Sequence, residues 1–83
     1  MKVTVKLYAL LSQYLPRDAV DQTVTVDVAD AATVQTVLGG FNVPPSDCHL
    51  LLVNGCFVVP GQRDTHVLKD GDAVAVWPPI AGG

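Results

Sequence analysis

The stretch Lys2-Val3-Thr4-Val5-Lys6-Leu7-Tyr8, residues 2–8, alternates apolar and polar side chains. Val3, Val5 and Leu7 share one face; Lys2, Thr4, Lys6 and Tyr8 share the other. Successive strand residues point to opposite faces, so the pattern predicts a half-buried strand. The alternation recurs in QTVTVDV, residues 22–28, with Val24, Val26 and Val28 turned inward. These two strands are expected to form a hairpin with a long connection. The connection carries Leu10, Leu11, Tyr14 and Leu15 before Pro16, which reads as a short helical turn or packed loop ended by the proline.

Downstream the period changes. Val34, Val37, Leu38 and Phe41 stand at i, i+3, i+4 and i+7, one apolar face of a short helix. Thr33 is the expected N-cap, and Gly39-Gly40 the expected stop. Leu50 to Val53 is a continuous apolar run, consistent with a buried strand. Asn54-Gly55 predicts a type I′ hairpin turn, because both residues tolerate positive φ. Cys56 to Val59 is the return strand, closed by Pro60-Gly61. Asp70-Gly71-Asp72 is a further turn, and Ala73 to Trp77 the last strand. The order β-β-α-β-β-β places one helix across one face of a mixed sheet. The expected fold is α+β: the last strand returns to the middle beside the first, as in a ubiquitin-like β-grasp.

The chain has 83 residues, enough for one small domain. Residues 1–79 are assigned to the β-grasp domain and residues 80–83 to a flexible tail. Valine supplies 15 positions, which favours strands and, with 49% hydrophobic residues, excludes intrinsic disorder. Five Lys and Arg against eight Asp give a net charge of -3, which argues against a nucleic-acid partner. The longest apolar stretch, Ala73 to Ala81, is too short to span a bilayer and contains two prolines. Lys6 interrupts the only candidate signal-peptide core, and two cysteines are too few for a disulfide scaffold. The expected setting is soluble and cytoplasmic, without nucleic acid or membrane as partner.

The end of the sequence carries the functional signal. Leu68-Lys69-Asp70-Gly71-Asp72 and then Trp77-Pro78-Pro79-Ile80-Ala81-Gly82-Gly83 resemble the ends of the sulfur-carrier family that includes the molybdopterin-synthase small subunits. Asn54-Gly55 and Thr33-Val34 sit where that family has a hairpin and a helix start. The likeness covers nearly the whole chain, although the helix is shorter than the family usually shows.

The resemblance implies a carrier and co-substrate rather than an enzyme, with no catalytic residue of its own and no bound cofactor. A ubiquitin-activating-type adenylyltransferase would use ATP to convert the Gly83 carboxylate to a glycyl adenylate. A sulfur donor, such as a desulfurase or rhodanese, would then leave a thiocarboxylate on Gly83. A synthase large subunit would receive the sulfur in molybdopterin (molybdenum cofactor) biosynthesis. Pro79, Ile80, Ala81 and Gly82 would be the tail threaded into the partner's channel. Glycine suits close backbone approach because it lacks a Cβ, and Pro78-Pro79 stiffen the exit. The alternatives are a carrier for thiamine or another sulfur-containing metabolite, a ubiquitin-like protein modifier, and a β-grasp interaction domain with an inert tail. Pro78-Pro79 argue against the thiamine subgroup.

Strand phase adds a candidate surface. Tyr8 is out of phase with Val3, Val5 and Leu7, and Trp77 with Val74 and Val76. Both should lie on the face away from the helix, with Phe57 joining them. Exposed aromatic clusters mark partner-binding surfaces, although ordinary cross-strand packing would produce the same phase. Cys48, His49, Cys56 and His66 match no common zinc spacing, and Asp64, Asp70 and Asp72 lack that of a calcium loop. No metal site is assigned. The sequence also shows no Ser-His-Asp arrangement and no phosphate-binding glycine loop.

Overall fold

The architecture is a five-stranded mixed sheet, one face covered by a short helix and by irregular segments. The structure, a computed structural model, describes residues 1–79. In chain order the elements are β1 (Lys2–Leu7), β2 (Thr23–Asp27), α1 (Val34–Gly40), β3 (Leu50–Val53), β4 (Cys56–Phe57) and β5 (Ala73–Trp77). The strands lie in the order β2-β1-β5-β3-β4. Only β1 and β5 run parallel; Val5 aligns with Val74 and Leu7 with Val76. Both alternating segments are strands, and the last strand returns to the centre. The fold is the expected α+β β-grasp.

The inner face is fully apolar. Val3, Val5, Leu7, Leu51, Val74 and Val76 are each 0% exposed and pack with Val34, Val37 and Leu38 of α1. Burying one such side chain contributes about 1.5–3 kcal/mol, so this layer dominates the stability. A helix of 7 residues would not persist alone, so packing and capping must hold it. Thr33 Oγ1 accepts the Thr36 N–H at 3.2 Å. The Val34 and Gln35 N–H groups donate to the carbonyls of His66 and Arg63 at 3.1 and 2.9 Å. The donors of the first turn are therefore satisfied partly from the segment before β5.

The helix ends at the expected Gly39-Gly40, but the left-handed position that closes it is not a glycine. Gly39 and Gly40 are its last residues, and Asn42 takes the left-handed conformation, φ +62°. The Val43 N–H donates to the Leu38 carbonyl at 3.2 Å and the Asn42 N–H to the Gly39 carbonyl at 3.0 Å. This pair of bonds is a Schellman motif, with buried Val43 as its apolar contact. Asn is tolerated there because its short polar side chain reduces the left-handed penalty.

Two turns set the register of the sheet. Asn54 and Gly55 both have positive φ, +51° and +81°, and close the two-residue β3–β4 turn. In the other turn, Lys2 N–H donates to Asp70 Oδ1 and Gly71 N–H to the Lys2 carbonyl, each at 2.7 Å. Thr4 N–H reaches the Asp72 carbonyl at 2.9 Å. These bonds seat β5 beside β1 before the parallel ladder begins. Asp72 also accepts from Lys69 N–H and Asn54 Nδ2, both at 2.8 Å. Asn54 Oδ1 in turn accepts the Ala73 N–H at 2.9 Å, so the two turns are tied together.

Two expected strands are corrected. The return strand is only Cys56–Phe57, because Val58 turns inward, 4% exposed, ahead of the 3₁₀ turn at Pro60–Gln62. β3 is not buried on both faces: Leu51 and Val53 point inward, while Leu50 is 37% exposed.

Two measurements check this account. Gly39 has φ in the ordinary range and open space where an alanine Cβ would stand, so Gly39→Ala should raise stability by about 0.5–1 kcal/mol in chemical denaturation. Asn42→Ala should lower it by about 1 kcal/mol through the left-handed penalty. The Lys69 N–H and then Asn54 hold the Asp72 carboxyl below its ordinary value of 3.8. A depressed folded pKa stabilises the fold above the unfolded value, and the contribution is lost as pH falls through the folded one. The stability advantage of the native chain over Asp72→Asn should therefore shrink on acidification below about pH 4, the carboxylate range.

Candidate partner-docking face and tail exit

β1 and β5 deliver Tyr8 and Trp77 side by side because both strands place their buried residues in phase. Tyr8 follows Leu7, which aligns with Val76, and Tyr8 N–H donates to the Val76 carbonyl at 3.1 Å. The rings stack with centroids 4.6 Å apart and planes inclined by 14°. Both residues lie on the sheet face opposite α1 and are partly exposed. The predicted pair is present.

Phe57 shares that outer face but does not join the stack. It aligns with Leu52 of β3, Leu52 aligns with Ala75, and Leu50 aligns with Trp77. A whole strand thus stands between Phe57, 55% exposed, and the aromatic pair. Leu50 and Leu52 carry the apolar surface across that gap. Their outward phase is hidden in the sequence because Leu50 to Val53 is apolar at every position.

At the exit of β5 the face deepens into an apolar groove of about 390 Å³. It is lined by Ala9, Leu10, His49, Leu50, Trp77 and the two prolines that follow. Ala9 turns the chain sharply after β1 with φ +53°, and Leu10 is left 79% exposed on the rim while Leu11 enters the core. Leu10, His49 and Leu50 are the groove residues that strand phase does not reveal, because two of them lie outside the alternating segments. Pro79 is exposed on the groove wall. Ile80, Ala81, Gly82 and Gly83, the remaining predicted tail residues, lie outside the described residues.

A buried cation holds the opposite wall. Arg63 is 5% exposed, and among the described residues its guanidinium donates to the backbone carbonyls of Cys48 at 2.6 Å, His49 at 3.4 Å and Val58 at 3.4 Å. The His49 N–H in turn donates to the Trp77 carbonyl at 3.0 Å, the last bond of β5 before Pro78. Arg63 therefore positions the segment that fixes the direction of the exit. Nothing in the local sequence marks Arg63 for burial; the carbonyl of Val58, five residues back, and those of Cys48 and His49 make it possible.

Burial pushes the Cys48 thiol above its ordinary pKa, and Asp47 adds to this while Arg63 opposes it. Cys48 is thus a protonated core residue, a poor nucleophile at neutral pH. Among the described residues, no three His, Cys or Asp side chains converge to hold a metal, and no helix is long and apolar enough to cross a membrane.

The parallel β1–β5 centre, the single helix and the chain leaving through β5 define a ubiquitin-like β-grasp protein. Over residues 1–81 the sequence matches the Mut7-C ubiquitin family, and the chain belongs to it. None of the curated protein sequences compared with it matches. Among solved structures it is similar to the HVO 2177 protein of Haloferax volcanii, with 27% identity, TM-score 0.76, and 100% of this chain and 87% of that chain covered. It is similar to SAMP1 of the same organism, with 28% identity, TM-score 0.68 and both chains fully covered, 100% and 100%. A third neighbour is a putative molybdopterin converting factor, subunit 1, from Pyrococcus furiosus. That likeness has 26% identity and TM-score 0.68, covering 95% of this chain and 98% of that chain. The resemblance to the ubiquitin-like sulfur carriers read from the sequence is borne out.

The stack should be measurable as a coupling. In a double-mutant cycle with Tyr8→Leu and Trp77→Leu, the pair should couple by about 0.5–1.5 kcal/mol in denaturant unfolding. Additive losses would show that the rings merely share a surface.

Proposed function

We propose that this protein is a sulfur carrier that acts as a co-substrate, its Gly83 carboxyl group being the acyl group that is activated and thiolated. The observation that supports this best is the exit of β5: the central strand sends Trp77, Pro78 and Pro79 along an apolar groove immediately ahead of Ile80-Ala81-Gly82-Gly83. A docking face adjoining a small-residue segment lets one partner hold the domain and receive the segment at once. The likeness to a molybdopterin converting factor named as subunit 1 supports a partner subunit, here a synthase large subunit, and molybdopterin as the destination of the sulfur.

A carboxylate is ionised at neutral pH and is a poor acyl donor. A ubiquitin-activating-type adenylyltransferase would join the Gly83 carboxylate oxygen to the α-phosphorus of ATP with loss of pyrophosphate. The resulting mixed anhydride accepts a sulfur nucleophile at the glycyl carbonyl carbon, and AMP leaves. With hydrosulfide as nucleophile the products are the thiocarboxylate, AMP and a proton. In the cell the sulfur would come from a desulfurase or rhodanese. The domain contributes docking and positioning, so it needs no base or nucleophile of its own. Pro78 and Pro79 reduce the chain entropy lost on insertion, and residues 80–83 act as the segment inserted.

The test is a mass measurement. After incubation with the cognate adenylyltransferase, ATP and hydrosulfide, the intact chain should gain one oxygen-to-sulfur exchange at Gly83. Chains lacking Gly83, or carrying one residue beyond it, should not. One residue shifts the reacting atom by about 3.5 Å, and misplacement of about 1 Å can already cost on the order of 100-fold in rate. Equal thiolation of the extended chain would overturn the reading. Recovery of the intact chain in amide linkage to lysines would replace it with that of a protein modifier.

A further inference from the structure

Asn54 precedes Gly55, a chemically labile pairing, because glycine has no Cβ to keep its backbone nitrogen from the asparagine amide carbon. In deamidation the Gly55 nitrogen loses its proton to solvent base and bonds to Asn54 Cγ. The Cγ–Nδ2 bond breaks and ammonia leaves. Water then opens the cyclic imide at one carbonyl or the other, giving an aspartate or an isoaspartyl linkage. Both residues are exposed. Apart from chain neighbours, no atom lies within 4 Å of where a Gly55 Cβ would stand, so water and base have access.

The folded turn holds both polar atoms of the amide. Asn54 Nδ2 donates to Asp72 Oδ1 at 2.8 Å, and Asn54 Oδ1 accepts the Ala73 N–H at 2.9 Å. The Asn54 N–H donates to the Ala73 carbonyl at 2.9 Å and fixes the backbone beside them. Cγ cannot swing to the Gly55 nitrogen unless the bonds to Asp72 and Ala73 break. Ring closure depends on that near approach, so the bonds oppose it. Asp72 is itself held in place by the Lys69 N–H at 2.8 Å.

We propose that Asn54 is a modification site that the fold keeps closed, with Asp72 as its guard, and that opening of the β3–β4 turn exposes it to a one-way deamidation. The change is one-way because ammonia is lost and because of what replaces the amide. A carboxylate there would turn an oxygen, where Nδ2 stood, toward Asp72 Oδ1. Two like charges at hydrogen-bond distance repel, so the turn comes away from the start of β5. An isoaspartyl linkage also lengthens the backbone by one atom within a two-residue turn. The site does not depend on the sulfur-carrier reading.

The test follows the amide-to-acid mass change in the peptide that carries Asn54, in mildly alkaline buffer. The native chain should deamidate at least about tenfold more slowly than the same chain in denaturant, and folded Asp72→Ala about tenfold faster than the native chain, the factor that one hydrogen bond to a charged group carries. Val37→Ala, which loosens the core away from the turn, should not accelerate the reaction. Asn54→Asp reproduces the product and should speed hydrogen exchange at the Ala73 amide. Adding Asp72→Asn should restore protection, because one amide again faces one carboxylate. These last two variants stand as tests whether or not Asp72→Ala folds. The proposal is overturned if native and denatured chains deamidate alike, or if folded Asp72→Ala is no faster than the native chain. It is equally overturned if Val37→Ala matches Asp72→Ala, if Asn54→Asp leaves the Ala73 amide protected, or if the double variant does not recover protection.

Discussion

The parallel pairing of β1 with β5 is the constraint on which the rest of the molecule depends. It joins the two ends of the sequence at the centre of the sheet, with Val5 against Val74 and Leu7 against Val76. Parallel strands need a crossover and burial, and all of the intervening chain supplies these. α1 caps the inner face, β2 and β3 flank the pair, and the Asp70–Asp72 turn holds β5 in register through Lys2 and Thr4. Non-local contacts of this kind are entropically costly to close, so the pairing is stable only when the apolar layer beneath it is complete.

The same pairing creates the exposed aromatic face. Once Leu7 and Val76 share the inner layer, Tyr8 and Trp77 must meet on the outer one, and Leu50 must stand beside Trp77. The groove is then completed by two local devices, the left-handed Ala9 and the buried Arg63. Around Arg63, three carbonyl dipoles replace part of the hydration a buried cation loses. Those hydrogen bonds offset the desolvation cost and also fix the Cys48–His49 segment at the strand exit.

The two grooves lie on opposite faces and differ in character. One adjoins the last strand and has proline and aromatic walls. The other, lined by Val26, Val28, Val37 and Phe41, lies on the helix side beside the edge strand β2. A domain this small can carry both because its single helix covers only part of one sheet face.

Much of the fold was legible in the sequence because period-two alternation in KVTVKLY, QTVTVDV and AVAVW assigns each side chain to a face. The Asn54-Gly55 turn and the Thr33 cap were legible because their chemistry is local. The stack of Tyr8 on Trp77 followed from phase once β5 was placed beside β1. Gly39-Gly40 marked the helix end, but the left-handed Asn42 that closes it depends on the Val43–Leu38 bond, which the local sequence does not show. Leu50 and Leu52 were hidden by an all-apolar run, whose phase only pairing with β5 decides. Phe57 lay on the predicted face, but the strand order separated it from the stack. Arg63 and the β2 groove depend on groups distant in sequence, and no local pattern encodes them. The sequence alone therefore determined strand faces, turns and the glycine-ended segment. Only the tertiary structure decided which exposed side chains converge, because convergence depends on register between strands that meet late in the chain.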